Sequence, residues 1–302
     1  MSNDIFKKAC LVQLATSCWT GSKDINQSLM GNLGNNAEWL KGKKLLVNPE
    51  VLGPIKATIQ MARKLLARYA LPFPISGLHL VPKDSLEEID NRLEIFQSDF
   101  NNKVNSFGEF YLDAREEAKT ALGELFNDTD YPQDIRSKFR FTWSFIVLDV
   151  PTKATFLSPE IYQREREKFQ DLMAETRELA VAALREEFGE VITHLSEKIT
   201  GAEKPKFIRS NMTNRINEFL DGFSDRNLFQ DEKLTALVTE AKTLVKTISG
   251  NPYAVQYNEV LRQKVTTDFT NLKTAIDAAI EEMPRRRIQL DVVERRSLPD
   301  AA

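Results

Sequence analysis

Between Asp84 and Phe126 apolar side chains recur at Leu86, Ile89, Leu93, Phe96, Phe100, Val104, Phe107, Tyr111, Ala114, Ala118, Leu122 and Leu125. Steps of three and four sustained that far define one amphipathic helix with a coiled-coil-like stripe. At 1.5 Å per residue it is roughly 60 Å long, far beyond the usual globular helix, and it needs cover along its whole length. This requirement limits the chain to architectures built around long helices. The expected fold class is mainly α (α+β): an elongated antiparallel long-helix hairpin, a second helical hairpin and a small β-sheet.

The remaining elements follow in chain order. Ala9 to Trp19 is a short apolar run bounded by Gly21 and Ser22, which reads as a buried strand. Gly21 to Asn36 carries three glycines and four asparagines and reads as a loop. Asn48-Pro49 opens a helix, with a second start signal at Gly53-Pro54. Its apolar face is Ile55, Ile59, Ala62, Leu65, Leu66 and Tyr69. Prolines at 72, 74 and 82 predict an irregular extended connector from Leu71 to Pro82.

Gly108 and Gly123 interrupt the long helix at about 1 kcal/mol each relative to alanine. Gly108 implies a close neighbour, and Gly123 is where a kink is expected. Aromatic residues at 139, 141, 143 and 145 alternate strictly, which predicts a strand with one aromatic face over residues 139–149. Ser158-Pro159 starts a second long helix that runs to about Ile199. A shorter helix over 206–220 follows. Two more, over 231–248 and from the Gly250-Asn251-Pro252 hinge to Pro284, must fold back on each other. The tail from Arg285 has a β-like centre, which leaves two outcomes: a third strand beside the Cys10 or Phe141 strand, or disorder. These breaks divide the chain into a basic amino-terminal module (1–82), a long helical hairpin (83–201), a second hairpin (202–284) and a basic tail (285–302).

The segment Lys43-Lys44-Leu45-Leu46-Val47-Asn48-Pro49-Glu50, the helix after it to Ala70-Leu71-Pro72-Phe73, and Val81-Pro82 before the long helix resemble a family of bacterial and mobile-element proteins catalogued as a domain of unknown function. The likeness takes in Trp19-x-Gly21-x-Lys23 and the aromatic segment near Phe139, so it spans roughly the amino-terminal half. That family tends to be encoded beside MoxR-type AAA+ ATPases and von Willebrand A domain proteins. The resemblance thus implies an accessory role with such protein partners, and it carries over no site residues.

The residues themselves narrow the function classes. The chain is 42% hydrophobic and 28% charged, which allows a sizeable core. Its two cysteines, Cys10 and Cys18, provide neither a disulfide framework nor a Cys-x-x-Cys pair. The amino-terminal run behind Lys7 and Lys8 is diluted by Gln13, Thr16 and Ser17 and lacks a small-x-small site, so a cytoplasmic protein is expected. Glu190, His194 and Glu197 share a helix face, but without a second histidine they read as surface charge pairing rather than a metal site. No motif supports a catalytic residue, a metal or a cofactor, so an enzyme is not expected.

Net charge is −3 but unevenly placed. Residues 1–81 hold ten Lys/Arg against four Asp/Glu. Lys41, Lys43, Lys44, Arg63, Lys64 and Arg68, with Arg285, Arg286 and Arg287, are the candidates for a phosphate- or nucleic-acid-binding surface. Against this stands a solvated helix face, with tail arginines complementing a helix carboxyl end. The function expected is a non-enzymatic scaffold or adaptor working with partner proteins, among which the resemblance implies an AAA+ ATPase. The alternatives are a membrane-active helical protein using the aromatic segment, and a nucleic-acid-associated protein.

Overall fold

The computed structural model describes residues 5–25, 42–147, 158–200, 213–250 and 257–283. Two compact units are present: Met1–Leu184 with Asn214–Asp231, and Arg185–Thr213 with Glu232–Ala302. The architecture is mainly helical with a small antiparallel sheet, as the periodicities predict.

The first unit opens with the single turn α1 (Ile5–Lys8), which leads into β1 (Ala9–Ser17). Its four-stranded sheet runs in the order β4 (Leu71–Pro72), β5 (Leu78–Pro82), β1, β6 (Arg140–Ile146). β1 is an inner strand, with Leu11 opposite Leu80 on one side and Leu14 opposite Trp143 on the other. The pairing of β1 with the aromatic strand was foreseen, but β5 and β4 were not. Pro82 is the last residue of β5 and Pro72 lies on the two-residue edge strand, where a missing N–H breaks no inner ladder. The turn joining them places Gly77 at φ +80° and bonds Leu78 N–H to the Ile75 carbonyl at 3.2 Å. The tail, offered as a third strand, lies outside the described residues, and every pairing in this sheet is antiparallel.

A second small ribbon pairs β2 (Ser22–Asp24) with β3 (Lys43–Leu45), so the segment expected to be loop from Gly21 contributes a strand. Its residues are short, polar and largely exposed, which leaves no alternating pattern to detect.

Helix α2 (Pro49–Tyr69) starts as predicted: the Asn48 side chain accepts from Glu50 N–H at 3.1 Å and Pro49 occupies the first turn. The second start signal is absorbed, with Pro54 inside the same helix. Leu52, Ile55, Ile59, Ala62, Leu65 and Leu66 are buried on one face. The long helix α3 (Leu86–Leu122) follows, about 55 Å from 37 residues at 1.5 Å each. Gly123, at φ +52°, ends it and is followed by a turn of 3₁₀ helix over Gly123–Leu125, so the predicted kink is a terminus.

Seven of the eleven predicted stripe positions that fall on α3 are buried: Ile89, Leu93, Phe100, Val104, Phe107, Tyr111 and Ala118. α2 and the sheet provide their cover, where sequence periodicity pointed to the second long helix. The reason is aromatic packing. Phe100 meets Phe141 at 5.5 Å and Phe139 at 6.4 Å, Phe107 meets Phe139 at 5.9 Å, and Trp19 meets Phe107 and Tyr111 at 6.2 and 5.9 Å. Polar ties fix the same contact: Trp143 Nε1 donates to Asp90 at 2.7 Å and Gln97 Nε2 to the Phe141 carbonyl at 2.8 Å.

Helix α4 runs from Pro159 to Thr200, its start capped by Ser158 Oγ accepting from Ile161 N–H at 3.4 Å. Between Pro159 and Leu172 no residue is buried, and burial begins at Met173. α5 (Asn214–Arg226) continues beyond the expected end at Leu220 because Phe223 and Arg226 are also buried. It packs against β5 within the first unit.

In the second unit α6 (Glu232–Gly250) and α7 (Glu259–Glu281) pack antiparallel, with Lys233 ion-paired to Glu282. Buried Leu234, Val238, Ala241, Val245 and Ile248 face Val265, Phe269, Leu272 and Ile276. The predicted start of α7 at Asn251-Pro252 lies outside the described residues, and Asn258 caps Glu259–Glu281 by accepting from Leu261 N–H at 3.1 Å.

Candidate functional site

Two places on the first unit concentrate chemistry: a charged junction at the carboxyl end of α3, and the outward face of that helix.

The junction begins with a cross-strand problem. In the β2–β3 ribbon Lys23 stands directly opposite Lys44, and like charges in that register repel. Asp130, in the turn after α3, resolves it. Its carboxylate accepts from Lys23 Nζ at 2.5 Å and lies 2.6 Å from Lys44 Nζ, which also donates to the Leu125 carbonyl at 2.6 Å. The Asp130 side chain is 3% exposed and that of Lys44 11%. Burial alone would push the Asp130 carboxyl up. The hydrogen bonds and charges of Lys23 and Lys44 more than offset this and hold its pKa below the usual carboxylate range.

Next to it Arg115 Nη2 donates to Asp128 at 2.6 Å, and its guanidinium lies 5.7 Å from the centre of the Tyr131 ring. Two donors in this corner, Arg115 Nε and the Tyr131 hydroxyl, are buried without a hydrogen-bond partner among the described residues. Gly21 closes the junction at φ +64°, with room for no side chain: an added Cβ would lie 2.7 Å from Leu52 Cδ1 and 2.9 Å from Val47 Cγ1. Thus Trp19, Gly21 and Lys23 meet Lys44 and Val47 in space, and these sequence fragments are one structural joint.

That placement bears on the predicted basic surface. Lys44 is largely covered and held in an ion pair, and Arg63 Nη2 donates to Thr16 Oγ1 at 3.2 Å, tying α2 to β1. Arg68 lies 5.7 Å from the centre of the Tyr69 ring. Lys43 and Lys64 are exposed, while Lys41, Arg285, Arg286 and Arg287 lie outside the described residues. The described candidates are therefore divided between the β2–β3 ribbon and α2, and two of them are spent on internal contacts.

Glu190, His194 and Glu197 all lie on α4, and no group of three metal-binding side chains occurs among the described residues. His79 on β5 is half-buried, and burial lowers its pKa. Among the described residues no helix is long and apolar enough to cross a membrane. In the aromatic strand Phe139 and Phe141 are buried in the core, Trp143 is partly buried and Phe145 is 37% exposed.

Sequence reasoning missed the outward face of α3. Ile95, Phe110 and Leu112 are 67%, 63% and 67% exposed outside the buried stripe, Phe110 and Leu112 on opposite flanks of the helix, and only their phase marked them apart from that stripe. Around them stand Glu94, Asn102, Asn105, Glu109, Asp113, Glu116 and Glu117, all exposed. Across α3 nine carboxylates outnumber four cations. Glu109, Asp113 and Glu117 have no ion-pair partner among the described residues, whereas Arg115 and Lys119 pair with Asp128 and Glu116.

No curated protein and no solved structure matches this chain. A family model described as a protein of unknown function (DUF3150) matches residues 6–246, which extends the likeness seen in the amino-terminal half through α4 and α5 and over most of α6. The junction of Trp19, Gly21, Lys23, Lys44 and Asp130 and the whole of α3 lie inside that match, and the chain belongs to the DUF3150 family.

Proposed function

We propose that this protein is a non-enzymatic adaptor that docks partner proteins on the outward face of α3. One observation carries the reading: a 37-residue helix is clothed along one stripe by α2 and the sheet, while Ile95, Phe110 and Leu112 stand in solvent at separate places outside that stripe. Single exposed apolar residues are ordinary, but three of this size on one helix, with a packed core behind to keep it straight, offer separate apolar anchors for partners. The residues of the charged junction serve those anchors by fastening the end of α3 to the β2–β3 ribbon. The family resemblance adds that the partners include a MoxR-type AAA+ ATPase or a von Willebrand A domain protein of a bacterial or mobile-element system.

The test is purification of the tagged full chain from its host, followed by reconstitution of any recovered partner from separately purified components. A direct complex weakened at least ~10-fold by Phe110→Ser with Leu112→Ser supports the adaptor reading. Recovery of nucleic acid or lipid without a protein partner overturns it.

A further inference from the structure

We infer that the open edge of β6 takes up an extended basic segment of a partner protein as a fifth strand of the sheet. The inference goes beyond the adaptor reading, because neither this backbone edge nor its flank includes Ile95, Phe110 or Leu112. The two margins of the sheet differ. One is the two-residue β4, which carries Pro72 and is guarded by its shortness. The other is β6, which pairs one-to-one with β1 over seven residues without a bulge, proline or lysine, and whose one charge is Arg140 at its start.

The direction of its backbone follows from one contact. The Phe141 carbonyl accepts from Gln97 Nε2 of α3, so that peptide group turns away from β1. In an antiparallel pair alternate residues share a direction, which turns the N–H and C=O groups of Trp143 and Phe145 outward as well. Among the described residues no further strand meets them. An extended chain is the partner that satisfies such a row.

The helix beneath selects the side chains. Asp90, which accepts from Trp143 Nε1, and Gln97 lie on one line of α3. At about 100° per residue Glu87 and Glu94 fall roughly 40–60° round from that line, on the side away from buried Leu93 and Phe100, and so past the β6 edge. Both are exposed, and neither has an ion-pair partner among the described residues. A strand laid along Trp143, Phe145 and exposed Val147 directs alternate side chains toward this flank. Lys or Arg there rests its aliphatic stem on the aromatic rings and its charge on the glutamates. A second copy is disfavoured, since edge-to-edge pairing brings Glu87 and Glu94 of both copies to one seam. Nucleic-acid phosphates and anionic membranes are repelled by the same carboxylates.

The experiment uses the full chain and labelled peptides of roughly ten residues, in which valine alternates with lysine or with glutamate. Two further Val/Lys peptides are N-methylated, one at the lysines and one at the valines, which strips the donors from one strand edge or the other and keeps every charge. Fluorescence anisotropy reads binding. The Val/Lys peptide binds and the Val/Glu peptide does not. One methylated form binds about 10-fold or more weakly, and the other keeps its affinity. Val147→Pro, which sets a ring on the outward edge just beyond β6, weakens Val/Lys binding about 5-fold or more. Glu87→Lys with Glu94→Lys reverses the preference between the peptides, and Phe110→Ser with Leu112→Ser leaves it unchanged. Glu87 and Glu94 are on the surface, so the charge reversal stands as the test should the proline variant melt early.

No binding of the Val/Lys peptide, equal binding of Val/Lys and Val/Glu, or indifference to both methylations overturns the inference. So does Val/Lys binding that survives both Val147→Pro and the charge reversal. Self-association abolished by Val147→Pro gives the edge to a second copy, and Val/Lys binding only after removal of residues 285–302 gives it to the tail. Either result overturns the inference as well.

Discussion

Replacing Asp130 by alanine tests the junction most directly. The carboxylate is 3% exposed and is shared by Lys23, whose side chain is 55% exposed, and Lys44, at 11%. Losing the Lys23 contact costs at most about 1 kcal/mol, because a solvated ammonium finds water instead. Lys44 is different: its charge stays buried with only the Leu125 carbonyl as acceptor. Stranding one member of a buried ion pair costs about 3–5 kcal/mol. For a unit of this size each kcal/mol moves the melting temperature by about 2–4 °C, so Asp130→Ala should melt roughly 6–20 °C lower.

Urea and thermal unfolding followed by tryptophan fluorescence report this, since Trp19 packs against Phe107 and Tyr111 beside the junction. Asp130→Leu combined with Lys44→Met removes both charges and should lose less than half as much. The pH dependence has a definite sign. Asp130 has a depressed folded-state pKa, so its contribution is complete above the unfolded carboxylate value of about 3.9 and disappears as pH falls through the folded value. The gap between wild type and Asp130→Ala should be constant from about pH 5 to 7 and close below about pH 4. A loss under about 1 kcal/mol at pH 7, or a gap that does not narrow in acid, would refute the burial argument.

Two glycines should respond in opposite ways. Gly21→Ala introduces a Cβ 2.7 Å from Leu52 into a backbone at φ +64° and should destabilise by about 1–3 kcal/mol in urea unfolding. Gly108→Ala meets the guanidinium of Arg136, an exposed side chain free to swing away. The gain in helix propensity should leave the protein unchanged or up to about 1 kcal/mol more stable by the same measurement. Tyr131→Phe deletes a buried hydroxyl that has no hydrogen-bond partner among the described residues, and calorimetry should find a melting temperature equal to or above that of the wild type.

Much of the architecture could be read from periodicity. The 3.6-residue stripe located α3 to within a turn at each end, and aromatic alternation located β6. The Asn-Pro and Ser-Pro signals placed the first turns of α2 and α4. What periodicity lacks is the identity of the neighbour. A stripe states that a helix face must be covered, and α2 with the sheet covers it as well as a second long helix would. β5 was obscured because Pro82 and Pro72 resemble breakers unless their edge and end positions are known. The basic candidates failed for a related reason: nothing in the string Lys43-Lys44 distinguishes an exposed lysine from one buried against an aspartate 86 positions later. The outward face of α3 was hidden because Phe110 and Leu112 adjoin the buried Tyr111 and read as part of the same apolar run.

The position of β1 has a consequence for how the protein is made. The strand is synthesised well before its neighbours, residues 78–82 on one side and 140–146 on the other. Helix α5, which rests on β5, comes later still, at 214–226. One edge of an apolar strand therefore stays open until residues 140–146 are made, an interval in which nascent chains pair wrongly or recruit chaperones. Such distant pairings also slow refolding from denaturant. Truncations ending before Ile146 should consequently yield insoluble product rather than a smaller folded domain.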